Sequence, residues 1–426
     1  MKLNYLRTTI IGLAFMSICA FWQLYDSIIP LILRDTFEIG DTVAGGIMAL
    51  DNILALFMLP LFGAISDKTK TRIGKRMPYI IGGTAMAVIS MNFLPVGDNK
   101  VNLTLFLAAL FIALVSMSTY RSPAVALMPD VTPKPLRSKA NAIINLMGAM
   151  GGAFTLVVIS ILVPDTPKPN YSPLFLTVSA LMVIAVVALV SIIDENRLVA
   201  EMEAVNGHQT DKKESVNDEK KALPRDVKKS LIFILMSIFF WFMAYNAVTT
   251  AFSKYAQKVL GIKGGGFATN LLVATAAAVI SYIPVGIIAS RIGRRKTILI
   301  GISMLFVSFG AAYFFTSYNP LLTVILFLVG SGWAAINVNS YPMVVEMAKG
   351  SDVGKYTGYY YTFSMAAQIL TPVLSGALLE HVHYRTLFPY ATVFMGLSFC
   401  TMLMVRHGDS KPILPKEKLE MMDAGD

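Results

Sequence analysis

Apolar runs of about 20 residues recur along the whole of this 426-residue chain. A helix rising about 1.5 Å per residue needs that length to cross the hydrocarbon of a bilayer. The runs predict about twelve spanning helices, near 8–32, 42–65, 78–95, 102–129, 138–163, 172–193, 230–256, 267–290, 296–316, 320–347, 355–379 and 386–405. Only 15% of the residues are charged, against about 25% in an ordinary soluble domain, and the mean hydropathy is +0.63. The first run follows a short basic start from Lys2 to Arg7. It is kept as a spanning helix rather than a leader, because it is long, carries Trp22 and Asp26, and shows no small-residue cleavage site. The expected organisation is an all-α membrane protein with twelve transmembrane helices in two pseudo-symmetric six-helix bundles, 1–193 and 230–405. A polar linker, 194–229, joins them, and a polar tail, 406–426, follows.

One loop is used twice. The first copy reads Gly63-Ala-Ile-Ser-Asp67-Lys-Thr-Lys-Thr-Arg72-Ile-Gly74-Lys75-Arg76-Met-Pro78. The second, roughly 220 residues later, reads Gly286-Ile-Ile-Ala-Ser290-Arg291-Ile-Gly293-Arg294-Arg295-Lys296. Lys68, Lys70, Arg72, Lys75 and Arg76, then Lys134, Arg137 and Lys139, then Arg291, Arg294, Arg295 and Lys296 all fall on one side of the expected helices. The loops 96–101, 164–171 and 317–320 on the other side are poor in cations, with Lys258 and Lys263 as exceptions. The positive-inside bias then predicts that both termini and the linker are cytoplasmic. The net charge of +10 is accounted for by this pattern, so nucleic acid is not an expected partner. Cys19 and Cys400 lie inside apolar runs and offer neither a disulfide framework nor a metal spacing.

Two six-helix halves with one loop motif at the same place in each resemble the major facilitator transporters, whose substrate site lies near the midplane. The inserted Thr69-Lys-Thr-Arg72 and the ending Gly74-Lys-Arg-Met-Pro-Tyr79 resemble the glycoside–pentoside–hexuronide:cation symporters. Within these, Trp22-Gln-Leu-Tyr-Asp26, Ala126-Leu-Met-Pro-Asp130 and Ala140-Asn141-Ala142 resemble sucrose-transporter-like, proton-coupled sugar carriers. Gln368, Pro372 and Gly376 resemble the polar, kinked helix 11 of that family. The sequence departs from it at Val125, where plant sucrose carriers hold an arginine. Here the cation of helix 4 is Arg121, one turn earlier. The resemblance implies secondary active transport of an oligosaccharide or glycoside by alternating access across the cytoplasmic membrane, with no cofactor, a proton as coupling ion and sodium as the alternative. The expected partners are the sugar and the lipid bilayer, and the carrier is expected to be a monomer.

Ionisable groups within spanning helices are costly and mark function or pairing. Asp26, Asp51, Arg121 and Lys254 are the candidates. Asp26 is read as the proton acceptor, with Asp51 and Arg121 as coupling partners. A static Asp26–Arg121 or Asp51–Arg121 pair is the alternative. A sugar site needs donors and acceptors on an apolar wall with aromatic platforms. Trp22, Tyr25, Tyr120, Asn141, Asn145, Trp241, Tyr245, Asn246, Asn337 and Gln368 are the candidates, each aromatic being equally readable as packing. Gly63, Asp67, Arg72, Gly74, Lys75, Arg76 and Asp130, with Arg294, Arg295 and Glu346 in the second copy, are read as a gating latch, stronger in the first half because Ser290 replaces Asp67. The small-residue set Gly148, Gly151 and Gly152 predicts close helix packing. Competing readings are a major facilitator exporter of drugs or metabolites by proton antiport, and a membrane enzyme or sensor. Against the last, the sequence holds no paired carboxylates, nucleophile–base set, metal motif or phosphate-cradling loop.

Overall fold

The computed structural model describes residues 3–133, 136–166, 168–207, 224–347 and 353–409. Lys134, part of the expected linker (208–223) and most of the expected tail (410–426) lie outside them, as do 348–352 and Pro167. Among the described residues the chain is helical, without strands, and twelve helices are long and apolar enough to cross a membrane. The helices are α1 (Tyr5–Asp35), α2 (Asp41–Met48), α3 (Leu50–Lys68), α4 (Met77–Asn99), α5 (Leu103–Asp130), α6 (Arg137–Leu162), α7 (Ser172–Ile192), α8 (Glu195–Gly207), α9 (Arg225–Lys258), α10 (Gly266–Ile292), α11 (Arg294–Ala312), α12 (Leu321–Val345), α13 (Val353–His381) and α14 (Leu387–Leu403). A 3-10 turn, Tyr384–Thr386, leads into α14. Helices α2 and α3 form one span, Asp41–Lys68, with a break at Ala49.

Helix ends follow local chemistry. Asn102 caps α5 by accepting from the Leu105 amide at 3.0 Å. Pro78 and Pro173 open α4 and α7, where a missing N–H costs nothing. Helix α8 lies in the segment read as linker. It lacks the apolar periodicity that reveals a helix, and polar contacts support it instead. The Asp194 carboxylate accepts from the Arg197 amide at 3.1 Å, and Arg197 pairs with Glu201 one turn on at 3.1 Å. Many large apolar side chains are exposed, Phe57, Ile161, Ile184, Ile280 and Phe314 among them, as a lipid-facing surface requires.

The chain forms two compact units: Met1–Tyr25 with Leu50–Asn217, and Asp26–Ala49 with Asp218–Asp426. In the first, α4 packs along α5 and α7, and α3 along α5. Helices α1 and α6 run side by side at glycine distance. A Cβ on Gly148 would lie 2.7 Å from the Phe15 ring, and one on Gly151 would enter the Met16 carbonyl. Gly152 is different: a Cβ there would meet nothing nearer than the Gln23 amide oxygen, at 3.7 Å. In the second unit α12 packs on α10 and α11, α9 on α13 and α14, and α2 on α13. So the C-terminal part of α1, from Asp26, and all of α2 are packed with the second unit, although they belong by sequence to the first six spans.

Gly151→Val should force α1 and α6 apart and lower stability by at least about 1–3 kcal/mol, the usual cost of overpacking. Gly152→Ala should be close to neutral. Thermal denaturation of the two variants in the same detergent checks the contrast.

Candidate functional site

The duplicated loop is built around a carboxylate that its own motif does not contain. Gly74 takes φ 115°, a region open to glycine, and a Cβ on it would collide with the Glu195 carboxylate. Glu195, the first residue of α8, is 1% exposed. Its oxygens accept from the amides of Lys75 at 3.0 Å, Arg76 at 3.0 Å and Met77 at 3.1 Å. These are N–H groups that the start of α4 leaves without intrahelical partners, and a negative charge suits that end of a helix. Burial pushes the Glu195 carboxyl above its ordinary value, and the three amides pull it back. Asn196 secures the loop by donating to the carbonyls of Thr71 at 3.1 Å and Arg72 at 2.9 Å.

The Arg76 side chain is 4% exposed and gathers the expected latch. It binds Asp67 and the Ser66 hydroxyl, reaches Asp130 at 2.9 Å, and donates to the Gly63 carbonyl at 3.4 Å. Lys75 joins Asp130 at 3.0 Å. Gly63, Asp67, Gly74, Lys75, Arg76 and Asp130 are thus brought together, while the Arg72 side chain stays at the surface.

The second unit repeats the plan. Gly293 has φ 95°, and a Cβ on it would lie 2.8 Å from Asp409. The Arg295 amide donates to Asp409 at 2.8 Å, as Arg76 does to Glu195. Arg294 pairs with Glu346, as Lys75 does with Asp130. Ser290, in the place of Asp67, turns back to the Ile287 carbonyl at 2.7 Å. Glu195 and Asp409 were not singled out in the sequence. The available signal was positional, since each is an acid a few residues beyond the last apolar run of its half.

Within the first unit, Arg121 on α5 lies 6.0 Å from the centre of the Trp22 ring on α1. Its charge also acts on Asp51, which accepts from the Asn52 amide group at 2.7 Å. Trp22 Nε1 and Asn145 Nδ2 are buried donors without a hydrogen-bond partner. Tyr25 is packed against Phe21 and Trp22. The Tyr120 hydroxyl is engaged, with Ser17 and with the Ala14 carbonyl at 2.8 Å. Asn141 is half-buried on α6. Asp26, one residue past the boundary of this unit, is grouped with the other.

In the second unit, Tyr245 on α9 stacks on Trp333 of α12 with ring centres 3.7 Å apart and planes 5° from parallel. Phe242 meets the same indole edge-on at 5.4 Å. Asn246 Nδ2 is a third buried donor without a partner. Trp241 is wholly buried. Asn337 and Gln368 are half-buried, and Gln368 donates to the Ser364 carbonyl at 3.4 Å. Sequence reasoning passed over Trp333. It stands four residues before Asn337, on the same helical face, and that spacing was the available signal.

A twelve-span helical chain with a repeated loop-and-carboxylate unit is a multi-pass membrane transporter in its architecture. Residues 11–283 and 266–421 match the family profile of the Major Facilitator Superfamily, and the chain belongs to that family. Its fold is shared with solved transporters. A mutant of the nucleoside transporter NupG superposes with a TM-score of 0.69 at 14% identity, covering 94% of this chain and 100% of that one. A POT family transporter in complex with 5-aminolevulinic acid gives 0.72 at 11% identity, covering 94% and 95%. Among curated proteins, an uncharacterized symporter, sll1374 of Synechocystis sp., is 25% identical over 167 residues, 36% of this chain and 30% of its own length. The MFS-type transporter ppzB of Metarhizium rileyi is 28% identical over 129 residues, 30% of this chain and 26% of its own length. The matches to these curated relatives therefore span about a third or less of them. The family and the solved neighbours are transporters, not enzymes.

Glu195→Ala should cost about 1–2 kcal/mol of stability, the usual worth of a helix cap. Asp409→Ala should cost less, because Glu195 holds three amides and Asp409 one among the described residues. Thermal unfolding of the two variants side by side gives the order.

Proposed function

We propose that this transporter is a proton-coupled symporter for a neutral polyhydroxylated solute, an oligosaccharide or glycoside. It works by alternating access as a monomer in the cytoplasmic membrane, with both termini inside. The observation that supports the sugar most directly is that three of the side chains expected to contact it hold buried donors without partners among the described residues. Trp22 Nε1 and Asn145 Nδ2 in one unit and Asn246 Nδ2 in the other want acceptors. An unmade hydrogen bond at a buried donor costs about 1–3 kcal/mol, so such groups are retained where a ligand satisfies them. All three were singled out from sequence as sugar contacts. The indole faces of Trp22 and Trp333 and the Tyr245 ring offer platforms for weakly apolar sugar rings. One partial relative bears the name symporter, in keeping with coupled uptake.

Asp26 is the proton acceptor in this reading. Asp51, under the Arg121 charge, is its coupling partner, and proton binding and substrate binding are linked through that neighbourhood. The Arg76–Asp67–Asp130 cluster is the cytoplasmic latch. It holds the first loop rigid while the halves rock, and its counterpart around Arg294 is the weaker of the two.

The test is uptake into proteoliposomes under an imposed pH gradient, with a panel of sugars, glycosides, uronates, nucleosides and small peptides. A sugar should accumulate uphill when the outside is acidic. Asp26→Asn should abolish that accumulation while leaving counterflow exchange of the same sugar. Proton-driven efflux of organic cations, with no sugar moved, would overturn the reading in favour of an exporter.

A further inference from the structure

The cation bias of the loops leaves two exceptions, and the structure separates them. Lys258, at the end of α9, lies over the Tyr384 ring at 4.5 Å. Lys263, in the connection from α9 to α10, lines an open cavity of about 510 Å³. Gly266, Thr269 and Asn270 at the start of α10 share the lining, with Tyr318 before α12 and Thr323 within it. All of these residues belong to the second unit. The second copy of the duplicated loop stands at the other end of α10, so the cavity opens at the opposite end of that span. The Tyr318 amide donates to the Leu260 carbonyl at 3.0 Å and so ties the two connections that wall it.

The lining suits an anion. The N-terminus of α10, a helix of 27 residues, presents partial positive charge at Gly266. The Lys263 ammonium adds a full charge, and none of the lining side chains is acidic. Asn270 is the independent sign of a ligand. It is only 5% exposed, it opens on the cavity, and among the described residues its side chain makes no hydrogen bond. A buried amide left without a partner is destabilising, so its presence points to an acceptor brought by something that binds. The surface below the cavity narrows the choice of anion. The accessible face of α10 runs on from Thr269 through Val273, Ala276 and Ile280, at i, i+4, i+7 and i+11, and Ile280 is 66% exposed. Eleven residues of helix extend about 16 Å, so a polar end stands above an apolar strip of acyl-chain length. A free phosphate has no use for that strip. A zwitterionic headgroup would bring an ammonium that no carboxylate of the cavity receives.

We propose that this cavity binds the phosphate of an anionic glycerophospholipid. Lys263 and the α10 N-terminus face the charge, the Asn270 amide donates to a phosphate oxygen, and an acyl chain lies along Val273, Ala276 and Ile280. The site is separate from the solute contacts of the second unit on Tyr245, Asn246 and Trp333, and it stands whatever solute the carrier moves.

The test titrates the purified, delipidated chain with phosphatidylglycerol, phosphatidylcholine and inorganic phosphate in a neutral detergent, and counts bound molecules by native mass spectrometry. One phosphatidylglycerol should bind saturably and about tenfold or more tighter than phosphatidylcholine, the worth of a hydrogen bond to a charged group. Lys263→Glu should abolish that preference. Lys100→Glu, at an exposed lysine of the first unit, should keep it. Asn270→Leu should weaken phosphatidylglycerol binding by about threefold or more, as the loss of one hydrogen bond requires. Should that buried variant not fold, Lys263→Glu, at an exposed position, carries the decision. Equal binding of the two lipids, or a preference that survives Lys263→Glu, overturns the site. Inorganic phosphate that binds through Lys263 while phosphatidylglycerol shows no advantage over phosphatidylcholine makes this a free-anion site and overturns the lipid.

Discussion

A charge that cannot reach water must be paired, and the polar framework of this protein follows from where its pairs form. Arg76 is almost wholly buried and holds two carboxylates from separate helices. Lys254 is as deeply buried and holds Asp41. Arg121 rests over an indole face and acts on Asp51. Around these groups the spans are apolar, and their packing carries little directional information. The pairs, with the glycine contacts of α1 on α6 and α2 on α13, set which helices lie together.

The duplicated loop shows how a repeat is conserved in plan and altered in strength. In each unit a glycine with positive φ ends the turn, and the cation after it pairs with an acid at the end of a later span. The second residue after the glycine donates its amide to a carboxylate from beyond the last span. The first unit adds Asp67 under Arg76 and two more amides under Glu195. The second has Ser290, turned onto its own helix, and, among the described residues, a single amide on Asp409. The asymmetry anticipated from Asp67 and Ser290 is therefore larger than one residue.

The buried polar groups of each unit suit the neutral polar solute proposed above. Among the described residues three buried amide or indole N–H donors have no partner, Arg121 lies over the Trp22 ring, and Tyr245 stacks on Trp333. Among the described residues no cluster of metal-ligating side chains stands beside them. Not every candidate aromatic belongs to that chemistry. Trp241 is wholly buried, and the Tyr120 hydroxyl is bonded within its own unit.

The sequence by itself determined the twelve spans, the repeated loop and two of the acids that answer it. Each of these is written in one dimension: the length of an apolar run is set by bilayer thickness, and a loop motif is contiguous. Asp130 and Glu346 were legible as partners of the loop cations because they end spans beside them. Lys254 was visible as a charge inside a span, but its partner was not. Asp41 stands at the edge of an apolar run, where an acid is unremarkable, and 213 residues separate the two. Glu195 was hidden in the same way, in a polar segment without periodicity. Only the tertiary structure decided these pairings, and it alone placed the C-terminal part of α1 and all of α2 with the second unit. A buried charge takes its partner from whichever helix packing brings near, and chain order does not encode that neighbour.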